Sequence, residues 1–384
     1  MRKYIFVLLF MNLASWIMAQ EKATIQIGDY RISALSDSKR DGKTNILIDA
    51  APDLVAQYIP SGVYPSEVVS FLVQSPEKNI LIDAGLGLQL LANLESFDLT
   101  PDRIDAVALT HAHGDHIGGL LRDGKVVFPN ASLFINRLEY DYWINGNNQL
   151  AKNVLTAYKD QLALFDVETG TGSQKGNILP GFQAIAAYGH TPGHTLYLIT
   201  SGISQLLVLG DLTHVTPLQM PHPEIAVTYD VDPKQAVESR KKILEYVAEY
   251  NIPVAGMHIP YPSIGYVKTA ETGYDFWEME INGTQYDVPD ALPTFPGGQQ
   301  AMTEFIAQHL SNSHEAVQKA ISENVILKFV VAEDGSIEDI QIVKSVDPLL
   351  DAEVVRIVKL MPRWKPGIQN GKAVRTTFLL PFRF

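Results

Sequence analysis

Residues 108–119 read ALTHAHGDHIGG and crowd His111, His113, Asp115 and His116 into six positions directly after an apolar run. A short apolar run that gives way to polar residues and glycine reads as a buried strand entering a loop. His111 and His113 are two apart, so on an extended backbone their rings point the same way and can reach one ion. Asp115 and His116 follow at a glycine-rich turn, where the chain can curl round a second ion. The plain alternative is a solvated polar turn, and a lone strand-end histidine is more often hydrogen-bonded core or surface than a ligand. The crowding together with the strand-to-glycine-loop context favours metal.

The chain contains no cysteine, which excludes disulfides, thiolate zinc sites and cysteine nucleophiles. Zinc without thiolates takes about four nitrogen or oxygen ligands, so four residues cannot complete two ions. Further candidates stand after other apolar runs: His190 and His194 in YGHTPGHT, Asp211 at the end of LLVLGD, and His258 at the end of PVAGMH. Each follows a strand-like run, so several strand ends can converge on one pocket. A buried carboxylate at a strand end is costly unless paired or bound to a cation, and a metal removes that cost for Asp211. Of the two histidines in YGHTPGHT, His190 is the weaker candidate, one that can stand behind a ligand instead of being one. His214 and His222 are candidates for the pocket. The strip Tyr140, Tyr142 and Trp143 is either a substrate wall or an ordinary packed amphipathic segment.

At 384 residues the chain is long enough for two domains. Its net charge of −13 argues against nucleic acid as a partner. Arg2 and Lys3 precede the apolar stretch YIFVLLFMNLASWIMA, which closes on the small Ala19. That is the layout of a secretory signal peptide over residues 1–19, cleaved near Ala19. An uncleaved anchor, holding the protein in the membrane and facing the periplasm, is the alternative. From 21 to 286, runs such as VVSFLVQS, NILIDAG, DAVALTH, SLFIN, FQAIAAYG, LYLITSG and IPVAGMH read as strands. DPKQAVESRKKILEYVAEY reads as a helix capped by Asp232. The pattern predicts layered sheets with helices outside. Residues 287–298, DVPDALPTFPGG, read as a linker. From residue 293 to 384 the charge balance changes, with ten Lys and Arg against ten Asp and Glu. This part predicts a small α+β domain: a helix from about Gln299, a hairpin turning at Asp334-Gly335, a helix from about Leu349 and a last strand.

The motifs THAHGDHIGG, GHTPGHT, LGD and the strand-end His258 resemble the metallo-β-lactamase superfamily of dinuclear metallohydrolases. Within it, EYDYWIN, GDLTH, TYDVDPKQAVESRKKIL and GMHIPYPSIGYV are similar to the methyl parathion hydrolase branch. The resemblance implies an αββα sandwich with two divalent metal ions, expected to be zinc, at one edge. It implies His111, His113 and His194 on one ion, Asp115, His116 and His258 on the other, and Asp211 bridging. The catalytic candidates are the two carboxylates, Asp211 and Asp115, with Asp211 placed to orient a metal-held hydroxide and take its proton. Lactonase members often have a tyrosine three residues after the bridging aspartate; here that residue is His214. The segments PTFPGGQQAMTEFIAQHL, VVAEDGSIEDIQIVKSVDPLLDAEVVRIVKLMPRWKPG and GKAVRTTFLLPFRF resemble the C-terminal domain of TonB-type energy transducers. That implies a module that docks a TonB-dependent outer-membrane receptor, often by strand addition.

The expectation is therefore an exported, periplasmic, dinuclear hydrolase of a small-molecule ester, lactone or organophosphoester, with an appended docking module. The alternatives are an envelope binding protein with a vestigial metal site, and a β-lactamase.

Overall fold

The computed structural model describes residues 22–167, 179, 181–202, 204–279, 293–310, 324–345, 347–369 and 372–383. The expected export segment 1–19 and residues 287–292 of the expected linker lie outside them.

Two sheets carry the first part of the chain. The first has seven strands in sequential order: β1 (Thr24–Ile27), β2 (Tyr30–Lys43), β3 (Val63–Gln74), β4 (Asn79–Ile82), β5 (Ala106–Ala108), β6 (Ser132–Asn136) and β7 (Leu162–Phe165). Strands β4 to β7 run parallel, and the others are antiparallel. The second has six: β8 (Phe182–Ala186), β9 (Thr195–Ser201), β10 (Ser204–Val208), β11 (Pro253–Ala255), β12 (Ile264–Thr269) and β13 (Tyr274–Glu278), with β10 and β11 parallel.

Side-chain alternation assigns the layers. Ala106 and Ala108 join Phe71, Ile82, Tyr197, Ile199, Leu206 and Val208 in a core between the two sheets. Val107 and Leu133 face the other way, into a core shared with Tyr158 and with the helices carrying Leu90 and Val154. Leu207 and Val254 likewise face α3 (Pro233–Glu249), through its Ile243, Leu244 and Val247. The result is the expected αββα sandwich. Asp232 caps α3 as read from the sequence, accepting from Gln235 N at 3.0 Å.

The parallel strands matter most for the site. Asp83 follows β4, His111 follows β5, Asp211 follows β10 and His258 follows β11, all at C-terminal strand ends. Beyond the register shift between Ser36 and Ser38, β2 and β3 continue as a long hairpin in which Gly42 stands opposite Tyr64. The bulge leaves Asp37 buried, where it accepts from the backbone N–H groups of Leu86, Gln89 and Leu90 and fixes the loop beside the site.

The C-terminal part has two layers and a hydrophobic core of its own. Strand β14 (Asn324–Val331) lies between β15 (Ile337–Lys344) and β16 (Thr376–Arg383), antiparallel to both. Val325, Leu327 and Phe329 pack on Leu350, Val354, Ile357 and Val358 of α5 (Pro348–Leu360) and on Met302 of α4 (Gly298–His309). The hairpin turns at Asp334-Gly335 as the sequence predicts, with Gly335 at φ 83°.

Candidate metal centre

Asp211 is the hub of a buried cluster. Its Oδ1 is 3.0 Å from His116 Nε2, and its Oδ2 lies 3.5, 3.2, 3.0 and 3.3 Å from the Nε2 atoms of His111, His190, His214 and His258. His113 Nδ1 is 3.0 Å from both His111 Nε2 and His190 Nε2. Asp115 joins from the other side, with Oδ2 3.6 Å from His258 Nε2. Three groups have donor atoms close enough to share an ion: His111, His113, His190 with Asp211; Asp115, His116 with His258; and Asp211, His214 with His258.

Most of these rings are held from behind. His116 Nδ1 meets Asp83 Oδ2 at 2.7 Å, His190 Nδ1 meets Asp230 Oδ1 at 2.9 Å, and His258 Nδ1 donates to the Glu67 carbonyl at 2.8 Å. Outer partners of this kind fix the tautomer of a ligating imidazole and aim its other nitrogen inward. Asp83 is itself fixed by Thr110, from N–H at 2.8 Å and Oγ1 at 2.7 Å. Glu139, fully buried, ties two ligand loops together. It accepts from Ala112 N, from Trp143 Nε1, from Thr191 Oγ1 at 2.6 Å and from Gly193 N at 3.0 Å.

The donor set fits cations. Four ring nitrogens crowd Asp211 Oδ2, more than its lone pairs can serve. His116 Nε2, Asp211 Oδ1 and His214 Nδ1 are buried with no well-aligned hydrogen bond among the described residues. Imidazole nitrogens 3.0 and 3.2 Å apart cannot all be donors or all acceptors, whereas a cation among them gives every lone pair the same partner. Burial, helped by neighbouring His116, holds His111 well below its ordinary pKa, and burial with His190 pushes His113 down to about 3. Both are therefore neutral, the form that ligates. Burial pushes Asp211 up, but His116, His258 and His111 hold it well below the usual carboxylate range. Against burial, hydrogen bonds to Asp211 and Asp230 raise His190 to about 9. Protons on that ring balance Asp211 where a divalent cation would otherwise do so.

The structure sets one expected ligand apart from the clustered donor atoms. His194 is fully buried but spends both ring nitrogens elsewhere: Nδ1 donates to the Ala187 carbonyl at 2.9 Å, and Nε2 accepts from Asp211 N–H at 2.9 Å. Its place at the cluster is taken by His190. The other six expected residues, His111, His113, Asp115, His116, Asp211 and His258, come together as read. His214 is part of the cluster. His222 instead meets Glu224 at 3.1 Å and the Tyr58 ring. Of the aromatic strip on α1 (Arg137–Asn145), Trp143 reaches the site, its ring 5.2 Å from that of His113, while Tyr140 packs into the outer core. Asp83, Asp230 and Glu139 were missed by the sequence reading.

The cluster floors a cavity of about 820 Å³, whose walls include Arg40, Lys43, Tyr64, Leu86, Leu150 and Tyr229. That is a size for small molecules.

Residues 63–253 match the family model described as metallo-beta-lactamase superfamily, and residues 308–384 match that of the Gram-negative bacterial TonB protein C-terminal. Among solved structures, AidC, described as a dizinc quorum-quenching lactonase in complex with a product, is 27% identical with a TM-score of 0.62. The match covers 68% of this chain and 98% of AidC. AbOPH, described as a hydrolase in the beta lactamase superfamily, is also 27% identical, with a TM-score of 0.61 and the same coverage. A shorter likeness, 38% identity over 52 residues, links 13% of the chain to the exodeoxyribonuclease WalJ of Streptococcus pneumoniae. The chain spans 19% of that curated relative's length.

Proposed function

We propose that this chain, which belongs to the metallo-β-lactamase superfamily, is an exported hydrolase that holds two divalent metal ions and cleaves an ester, lactone or organophosphoester. The observation that carries this reading is the convergence of eight donor residues, in three overlapping groups, at the floor of a small-molecule cavity. His111, His113 and His190 would hold one ion, Asp115, His116 and His258 the other, and Asp211 would serve both. Zinc is the first candidate, since AidC is described as a dizinc enzyme. When bound, such a pair supplies a nucleophile from water at neutral pH and polarises the oxygen that gains charge.

The chain's own residues supply the rest. Asp211 orients the nucleophile and takes its proton. Asp115, at 24% side-chain exposure the least buried of the two carboxylates, passes that proton on towards the cavity. Asp83, Asp230 and the Glu67 carbonyl keep the imidazoles in one tautomer, so no reorganisation is needed at the moment of reaction. Among exported proteins the TonB-type domain fits an envelope role: the outer edges of β15 and β16, which pair with no further strand among the described residues, offer an outer-membrane receptor segment a strand to extend.

Purified full-length protein supplemented with zinc should retain about two ions per chain and turn over an aryl ester, a lactone or a phosphotriester faster than nitrocefin. Preferential nitrocefin hydrolysis would make it a β-lactamase. A metal content near zero, or two ions without turnover of any of these, would leave a binding protein in place of the hydrolase.

A further inference from the structure

Away from the clustered histidines, the cavity lining contributed by β2 and β3 includes Arg40, Lys43 and Tyr64. Arg40 and Lys43 both line the cavity and are exposed, and neither makes an ion pair among the described residues. By contrast Lys39, on the same strand, pairs with Glu67 at 3.6 Å. Between them lies Tyr64. It stands opposite Gly42 in the β2–β3 register, and a Cβ at Gly42 would come within 2.3 Å of the Tyr64 Cζ atom. The tyrosine ring can therefore lie across the partner strand only because residue 42 is glycine. Tyr64 is 4% exposed and lines the cavity, yet its hydroxyl has no hydrogen-bond partner among the described residues. Burial, with Tyr229, pushes that hydroxyl up to about 12 against the opposing charge of Arg40, so it keeps its proton and can donate. Asp41 also lines the cavity, which leaves this wall one positive charge in a chain whose net charge is −13. Leu86 and Leu150, large apolar side chains 38% and 39% exposed, line the same space.

We propose that Arg40, Lys43 and Tyr64 form the recognition end of the cavity, and that the substrate carries an oxyanion, a carboxylate or a phosphate, separated from the cleaved bond by an apolar linker. This rests on the hydrolase reading above and names the substrate class for it. The apolar linker lies along Leu86 and Leu150. The oxyanion takes charge-assisted bonds from the guanidinium and ammonium groups and the open bond of the Tyr64 hydroxyl. Such a contact binds a substrate by its far end and so sets which bond reaches the floor of the cavity.

The test uses zinc-loaded full-length protein and kcat/KM for a neutral ester, para-nitrophenyl butyrate, against charged ones. The carboxylate arm is the para-nitrophenyl monoesters of succinic, glutaric and adipic acids; the phosphate arm is the corresponding ester of phosphonobutyric acid. At least one charged ester should be preferred, and the arm that wins names the oxyanion. The Arg40→Gln, Lys43→Gln double variant should lower the charged-to-neutral ratio by about tenfold or more, and Tyr64→Phe by less. Raised salt should lower it too, because the two cations are exposed. Equal use of neutral and charged esters, or an unchanged ratio in the double variant, overturns the proposal. If no ester at all is turned over, the hydrolase reading fails and calorimetry decides separately. Glutarate should then bind about tenfold more tightly than butyrate, and the double variant should erase the difference. Equal binding of the two acids overturns the recognition site as well.

Discussion

Asp211 has the imidazole nitrogens of five histidines within 3.5 Å, so its value lies in charge rather than in any one hydrogen bond. Asp211→Asn keeps the shape and removes that charge. Turnover should fall by at least about 10²-fold, and wild-type turnover in a fully metallated variant would move the role elsewhere. His190 and His194 invite a paired experiment. His190→Ala should reduce the bound metal by about one ion per chain, because it empties one of the positions a bridged pair requires. His194→Asn should keep both ions and instead cost about 1–3 kcal/mol of stability, through the buried bonds to Ala187 and Asp211. Elemental analysis and denaturant unfolding separate the two; the reverse pattern would restore His194 as a ligand. The sequence could not choose between these rings. Both sit in GHTPGHT, and the choice is made by distant partners. Gly189, at φ 126°, has no room for a Cβ, which would stand 2.0 Å from Ala236 N. The turn is thus pressed onto the start of α3, where Asp230 takes the His190 ring. Asp83 is different. NILIDAG runs an apolar strand into an aspartate just as QLLVLGD does, so the same criterion that found Asp211 reaches it.

Among the elements, those readable from sequence were the ones with an apolar period. Strands β4, β5, β10 and β11 are short buried runs, and α3 carries both its cap and its stripe. The hairpin strand β2 was not readable. Beyond Asp37 its residues SKRDGK are polar and mostly exposed, so no alternation marks them, although they wall the cavity. Nor does the pattern of α3 disclose what Arg240 does. Its guanidinium is 1% exposed and donates to the carbonyls of Leu212 at 2.7 Å, Pro223 at 3.0 Å and Ile225 at 2.8 Å. It also stands 3.9 Å from Asp230 Oδ2. One side chain of the helix therefore anchors the segment just after Asp211 and the carboxylate behind His190. Arg240→Met would leave three buried carbonyls and one buried charge without that partner. A loss of about 3 kcal/mol or more in unfolding free energy is expected. Arg240→Lys should recover only part, since one ammonium cannot serve so many acceptors in a fixed fork. A neutral Met variant would show that backbone packing alone holds the segment.

For the molecule as a whole, every candidate metal ligand lies at or before His258, and the C-terminal unit has a core of its own running from Phe295 to Phe382. Removal of residues 293–384 should leave metal content and turnover intact. The isolated tail should show a folded circular dichroism spectrum with the modest stability of a small domain. Loss of metal on truncation would mean that the tail completes the enzyme. The cluster itself joins two layers: His111, His113, Asp115 and His116 leave the seven-stranded sheet, while Asp211 and His258 leave the six-stranded one. Backbone bonds also cross here, from Thr195 N to Thr110 O at 2.9 Å and from Val69 N to Met257 O at 3.0 Å. An ion held by ligands from both layers is a rivet, and in a chain without cysteine it takes the place a sulfur bridge would have. Its binding free energy is then folding free energy. A chelator should lower the melting temperature and let a protease cut first where the layers meet, and an unchanged digestion pattern would show that the layers hold without it. On that expectation the lifetime of the chain follows the metal content of the fluid around it, long where ions are plentiful and short where they are scarce.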